Sequence, residues 1–167
     1  MHLTAIAQCL ALIATANIIP PAAKLLLAAR FSLPVDAGVV CFDGRPLLGP
    51  SKTLRGVLFA VPGSALVSYL MGLGAVLGAT VGIWAMAGDM ASSFCKRRMG
   101  LKSSAPVAGL DQIPESLLPA IACAGPLNLS WYDVVTVVVL FTLGDAIMSP
   151  DYRRWRFLWE RRGGSAG

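Results

Sequence analysis

Between Arg55 and Asp89 the chain runs for 33 residues without a charged side chain. A single helix of that length would extend roughly 50 Å, against a bilayer hydrocarbon core of about 30 Å. Two helices joined by a tight turn fit better, and Met71-Gly72-Leu73-Gly74 supplies the turn. Three further apolar stretches, Leu3 to Ile19, Leu117 to Leu127 and Trp131 to Met148, repeat the signal. With a mean hydropathy of +0.67 and 14% charged residues, the chain is too apolar for an ordinary water-soluble domain.

The expected fold is therefore an all-α integral membrane domain of about five transmembrane helices. Its spans are placed at 2–19, 55–71, 74–96, 113–127 and 131–149. Loops fall at 20–54 and 97–112, and a tail at 150–167. Residues 20–30 read as a short interfacial or re-entrant piece, because Lys24 interrupts them. Pro114 suits the first turn of the fourth helix.

Charge sorts the two sides. All 14 lysines and arginines fall on one side if the first helix runs from outside to inside. The expectation is an external N-terminus and a cytosolic C-terminus in the cytoplasmic membrane. Ala14-Thr15-Ala16 resembles a signal cleavage site, but no lysine or arginine precedes the apolar run, so a retained helix is the preferred reading. Tyr152, Trp155 and Trp159 recur among Arg153, Arg154, Arg156, Arg161 and Arg162, the composition of a segment lying on an anionic leaflet.

Asp89 falls at the inner end of the third span, a costly place for an acid and a functional candidate for that reason. Ser93 and Lys96 follow four and seven residues later on the same helical stripe, with Arg97 beside them. A carboxylate, a hydroxyl and an ammonium on one face can hold a metal ion and a phosphate together. The bland reading makes Lys96, Arg97 and Arg98 a positive flank, which explains Asp89 less well. In 48–56, Lys52, Thr53 and Arg55 stand just before a helix start, where free N–H groups and cations suit an anion. The Walker A spacing is missing. Asp111 lies in another loop, with Glu115 following it. Alone, Asp111 is a turn or cap residue; beside Asp89 it gives Mg²⁺ the carboxylates it needs when phosphate oxygens fill the rest of its shell. Asp145 takes no assignment, and Asp133 reads as structural.

Four cysteines without a CxxC pair, and His2 as the sole histidine, exclude a zinc site. No nucleic-acid partner is expected.

These motifs resemble the CDP-archaeol synthase family of membrane CTP:lipid-phosphate cytidylyltransferases. Gly88, Asp89, Ser93, Lys96 and Arg97 meet the GDxxxSxxKR pattern of the more distant phosphatidate cytidylyltransferases. Upstream, Asp43-Gly44-Arg45-Pro46-Leu47-Leu48-Gly49 and Lys52-Thr53-Leu54-Arg55-Gly56 match the family's DGxxxLG and KTxRG stretches, and Ala105-Pro106 and Asp111-Gln112 follow in order. The resemblance implies condensation of CTP with a lipid phosphate to CDP-lipid and pyrophosphate, at a site open to the cytosol. It implies Mg²⁺ on Asp89 and Asp111, Lys96 among the catalytic groups, and phosphate or nucleotide binding by Lys52, Thr53, Arg55, Ser93, Arg97 and Asp43. Two departures stand out: Pro50-Ser51 replaces Asp-Gly, and Pro114 replaces the second acid of Asp-Gln-Leu-Asp. They leave the chain type of the lipid open and suggest a bacterial branch. Rival readings are another lipid phosphotransferase or a small transporter, and the sequence leaves homo-oligomers open.

Overall fold

The computed structural model describes residues 2–27, 32–101, 107 and 109–163, the last segment in backbone only from 148 onward. The interfacial side chains expected from Tyr152 to Arg162, and Arg30, Lys102, Ala105 and Pro106, lie outside the described side chains. Five helices follow one another: α1 (Leu3–Leu27), α2 (Leu54–Leu70), α3 (Ala75–Arg98), α4 (Gln112–Ala124) and α5 (Trp131–Gly163). Among the described residues there is no β-strand. Two isolated antiparallel bridges, Pro34 with Thr53 and Val40 with Pro46, fold the α1–α2 connection back on itself.

The tight turn in the long uncharged run is present. Gly72 and Gly74 have φ of 75° and 84°, a region open to glycine at little cost, and the chain reverses between α2 and α3 there. Two helix bounds differ from expectation. α1 does not stop at residue 19 but continues through Pro20 and Pro21 to Leu27, so 20–27 extends the helix instead of forming a separate piece. Neither proline has an N–H to donate, yet the backbone on both sides holds its helical course. α5 likewise continues past residue 149, its backbone helical to Gly163. α4 begins as expected, with Pro114 in its first turn.

α3 is the hub, packed against α1, α2 and α4, while α5 leans on α4 and α1. In lipid, apolar burial does not drive helices together, so close backbone approach must. Gly78 and Gly82, one turn apart on α3, provide it. A Cβ on Gly78 would fall 2.1 Å from the Ser64 carbonyl oxygen, and one on Gly82 would fall 3.0 Å from the Val61 Cα. The packed core of Cys9, Leu12, Ile13, Val81, Cys123 and Val137 occupies the end of the bundle where α1, α3 and α5 begin. At that end buried Asp133 accepts hydrogen bonds from the Ser130 N–H (3.0 Å) and hydroxyl (2.7 Å) and from the His2 N–H (3.3 Å). It ties the first turn of α5 to the N-terminus, the structural role its position suggested. The opposite end is left for polar groups.

Candidate functional site

At that opposite end, residues 32–53 form a braced loop. Buried Asp36 is its keystone, accepting hydrogen bonds from Leu48 N–H (2.8 Å), Gly49 N–H (2.9 Å) and Gly38 N–H (3.1 Å). Burial works against the Asp36 charge, but the N–H groups outweigh it and hold the carboxyl below its ordinary range. The loop is also strapped to α3 in both directions. Arg98 pairs with Asp43 and donates to the Pro46 carbonyl at 2.7 Å, while Arg45 donates to the Arg98 carbonyl. α3 thus has a terminal carbonyl satisfied by a loop arginine. Partial burial opposes the Asp43 charge; the Arg45 N–H and the Arg98 guanidinium lower its pKa nonetheless.

Between this loop and the helices lies a cavity of about 560 Å³. Lys52 and Thr53 enter it from the loop, Arg55 from the first turn of α2, Asp89 from α3, Glu115 from α4 and Asp145 from α5. Lys52 and Asp89 form an ion pair across it. Glu115 faces Asp89, with Lys52 and Asp111 as its other charged neighbours. Arg55 is buried, held at the helix start where its charge adds to the field of the free N–H groups. Asp145 accepts a hydrogen bond from Gln112 Nε2 at 2.7 Å, joining α5 to α4.

A second pair stands beside the cavity. Lys96 Nζ lies 2.7 Å from Asp111 Oδ1, which joins the end of α3 to the start of α4. Lys96, Ser93 and Arg97 are all buried. Among the described residues Ser93 Oγ and Arg97 Nε and Nη2 have no hydrogen-bond partner. Buried donors without partners are costly, and two on one helical stripe mark a place prepared for an acceptor.

The sequence-derived candidates therefore divide. Lys52, Thr53, Arg55 and Asp89 share the cavity; Lys96, Ser93, Arg97 and Asp111 form the adjoining cluster. Asp43 stands outside both, in the strap with Arg98. Sequence reasoning noted Glu115 and Arg98 without giving them a site role, and passed over Asp36. For Glu115 the signal was present: it follows Asp111 by four residues at a helix start, so both face the same way. Arg98 looked like one more flanking cation, and nothing in the sequence pointed Asp36 at amides twelve and thirteen residues away.

An apolar helical bundle that gathers acids and cations around a cavity at one end has the architecture of an intramembrane protein with a polar site. The comparisons narrow the class. A family model described as CarS-like, CDP-archaeol synthase, matches residues 15–152, and the chain belongs to that family. The CDP-archaeol synthase of Aeropyrum pernix is 42% identical over 110 residues, covering 62% of this chain and 63% of the relative. That of Methanopyrus kandleri is 42% identical over 88 residues, covering 48% and 50%. The matched part of the chain thus spans half to just under two thirds of these curated relatives. A solved structure described as an intramembrane enzyme for archaeal membrane lipids biosynthesis aligns with a TM-score of 0.67 at 34% identity, covering 83% of this chain and 90% of the other.

Proposed function

We propose that this chain is a CTP-dependent cytidylyltransferase that condenses CTP with a membrane lipid phosphate, giving CDP-lipid and pyrophosphate in phospholipid biosynthesis. The observation that carries the reading is the pair of carboxylate–lysine couples, Asp89 with Lys52 and Asp111 with Lys96, set side by side at one end of an apolar bundle. Family membership supports it.

The chemistry asks little of side-chain acid–base groups. A lipid phosphate oxygen, already anionic, attacks the α-phosphorus of CTP in line; the new P–O bond forms as the bond to the β-phosphate oxygen breaks, and pyrophosphate leaves with the electron pair. The barrier lies in bringing anions together and in the charge on the leaving group, so positioning and electrostatics carry the rate. Lys52 and Lys96 act as point charges on phosphates, and Arg55 offers a two-pronged fork. Thr53 adds a hydroxyl at the helix start. Ser93 and Arg97 present the unpartnered buried donors described above.

Asp89 and Asp111 are the residues that would hold Mg²⁺. Among the described residues no three acids, thiols or imidazoles converge as a ready-made cage. Mg²⁺ does not need one, since one or two carboxylates with phosphate oxygens and water complete its octahedron, and the oxygen-only donors here fit a hard cation. When bound, the ion would neutralise phosphate charge and offset the charge of the departing pyrophosphate. In the proposed orientation the site faces the cytosol, on the cation-rich side of the cytoplasmic membrane.

The test is pyrophosphate release by detergent-purified protein with CTP and Mg²⁺, against phosphatidic acid, an isoprenoid-diether glycerol phosphate and a polyprenyl phosphate. ATP and CDP-lipid serve as alternative donors, and Asp89→Asn runs in parallel. CTP-specific, lipid-dependent release lost in the variant supports the proposal and names the lipid class. Turnover with ATP or CDP-lipid alone, or none with any lipid, overturns it.

A further inference from the structure

The cavity has a second wall. Besides the loop, Asn17, Pro20, Pro21 and Lys24 line it from α1, at the spacing of one helical face. Lys24 is exposed, and among the described residues it makes no hydrogen bond or ion pair. The other cations here are differently placed: Lys52 is taken by Asp89, and Arg55 is buried in α2. Among the cavity's acids, Asp145 on α5 accepts a hydrogen bond from Gln112. Lys24 is thus a cavity-lining cation with its charge unspent.

Its neighbours on α1 are apolar and bare: Ile18, Leu25 and Leu26 are 60%, 60% and 85% exposed. On a membrane helix such side chains face lipid. A cation that lines a polar cavity beside lipid-facing side chains stands where a molecule anchored in the bilayer brings its charged group. A water-soluble nucleotide has its own cations on the loop wall.

We propose that Lys24 is the contact for the phosphate of the lipid substrate, with the substrate's chains lying along the Ile18 and Leu25 flank of α1, while the polyphosphate of the nucleotide occupies the Lys52, Thr53 and Arg55 wall. This rests on the cytidylyltransferase reading. It divides the cavity into two phosphate subsites of different origin. The helical continuation of α1 past Pro20 and Pro21 is what carries Lys24 to the cavity; a helix ending at residue 19 would not reach.

The test uses Lys24→Gln, Lys24→Ala and Lys24→Arg in mixed micelles, varying lipid phosphate and CTP separately. The neutral variants are expected to raise the half-saturating lipid phosphate about tenfold, the scale of one charge-assisted contact. The KM for CTP should stay unchanged, and Lys24→Arg should retain most of the lipid affinity. A raised KM for CTP, or unchanged values for both substrates, overturns the assignment; the latter is what a lysine merely flanking the membrane would give. A second readout needs no turnover: acylation of Lys24 by an amine-reactive reagent, followed by peptide mass spectrometry. Protection by a dioctyl diether glycerol phosphate but not by inorganic phosphate or CTP supports the subsite, and equal labelling in all three overturns it. If wild type turns over no lipid phosphate, the cytidylyltransferase reading fails by itself while the labelling still decides the place of Lys24.

Discussion

Gly88 of α3 lies directly against Pro114 of α4: a Cβ on Gly88 would fall 2.2 Å from the Pro114 carbonyl oxygen and 2.8 Å from the Glu115 amide nitrogen. The contact is one residue from Asp89 on one side and one from Glu115 on the other. It therefore fixes how far apart the two carboxylates stand. Gly88→Ala must separate the helices there, and misplacement of about 1 Å can cost roughly 10²-fold in rate. The expected result is a loss of kcat of about that size with helix content by circular dichroism unchanged. Wild-type kcat in the variant would show that the spacing is not critical.

The two carboxylate–lysine couples are expected to act as units. Asp89→Asn and Asp111→Asn should each lower kcat by about 10²–10³-fold, the range for losing one preorganised electrostatic group. Adding Lys52→Ala to Asp89→Asn should cost much less than the product of the single effects, because each partner works through the other. Steady-state kinetics on the four-member cycle checks this.

Glu115 faces Asp89 without being one of the acids named by the sequence motifs. Glu115→Gln keeps its size and removes its charge. If Glu115 steadies the cation proposed for Asp89, the half-saturating Mg²⁺ concentration should rise by about tenfold or more. Titration of Mn²⁺ followed by electron paramagnetic resonance reads the same affinity without turnover. A change in KM for CTP alone would assign Glu115 to the nucleotide instead.

Asp36 gives the loop an acid-sensitive brace. Its folded pKa lies below the ordinary carboxylate value of about 3.9. The stabilisation it supplies is therefore fully present above about pH 4 and lost as pH falls through the lowered folded value. Asp36→Asn should cost about 1–2 kcal/mol near neutral pH, since three N–H donors lose their shared anionic acceptor. Thermal unfolding in detergent between about pH 7 and 3 should show wild type and variant converging at the acid end. Parallel curves across that range would remove Asp36 from the acid response.

The helical plan was legible because hydrophobic length and glycine placement are local properties. The turn at Gly72 and Gly74 is an instance. The length of the first helix was not: Lys24 reads as an interruption that sets residues 20–30 apart, yet α1 continues through Pro20 and Pro21 to Leu27 and carries Lys24 with it. At the site, Asp89, Lys96 and Arg97 were readable from one helix's periodicity and Lys52 from its place before the next helix. The partnering was not. That Lys52 meets Asp89, and Lys96 meets Asp111, depends on how three helices cross, which no single stretch encodes. Asp43 was drawn toward the site by its motif, whereas its carboxylate is spent on Arg98.

The reciprocal strap between Arg45 and Arg98 has a kinetic consequence. Each arginine reaches across to the other's backbone, so the loop and the end of α3 are cross-braced, and the Pro34–Thr53 bridge pins the loop's two ends together. A jaw held in this way is not free to swing as a lid. Opening of the Lys52–Asp89 couple then falls to side-chain rotation and not to the microsecond displacement of a loop. Admission of the nucleotide would be governed by exchange of ionic partners at a rigid rim, so its association rate should fall with added salt and respond little to solvent viscosity beyond diffusion itself.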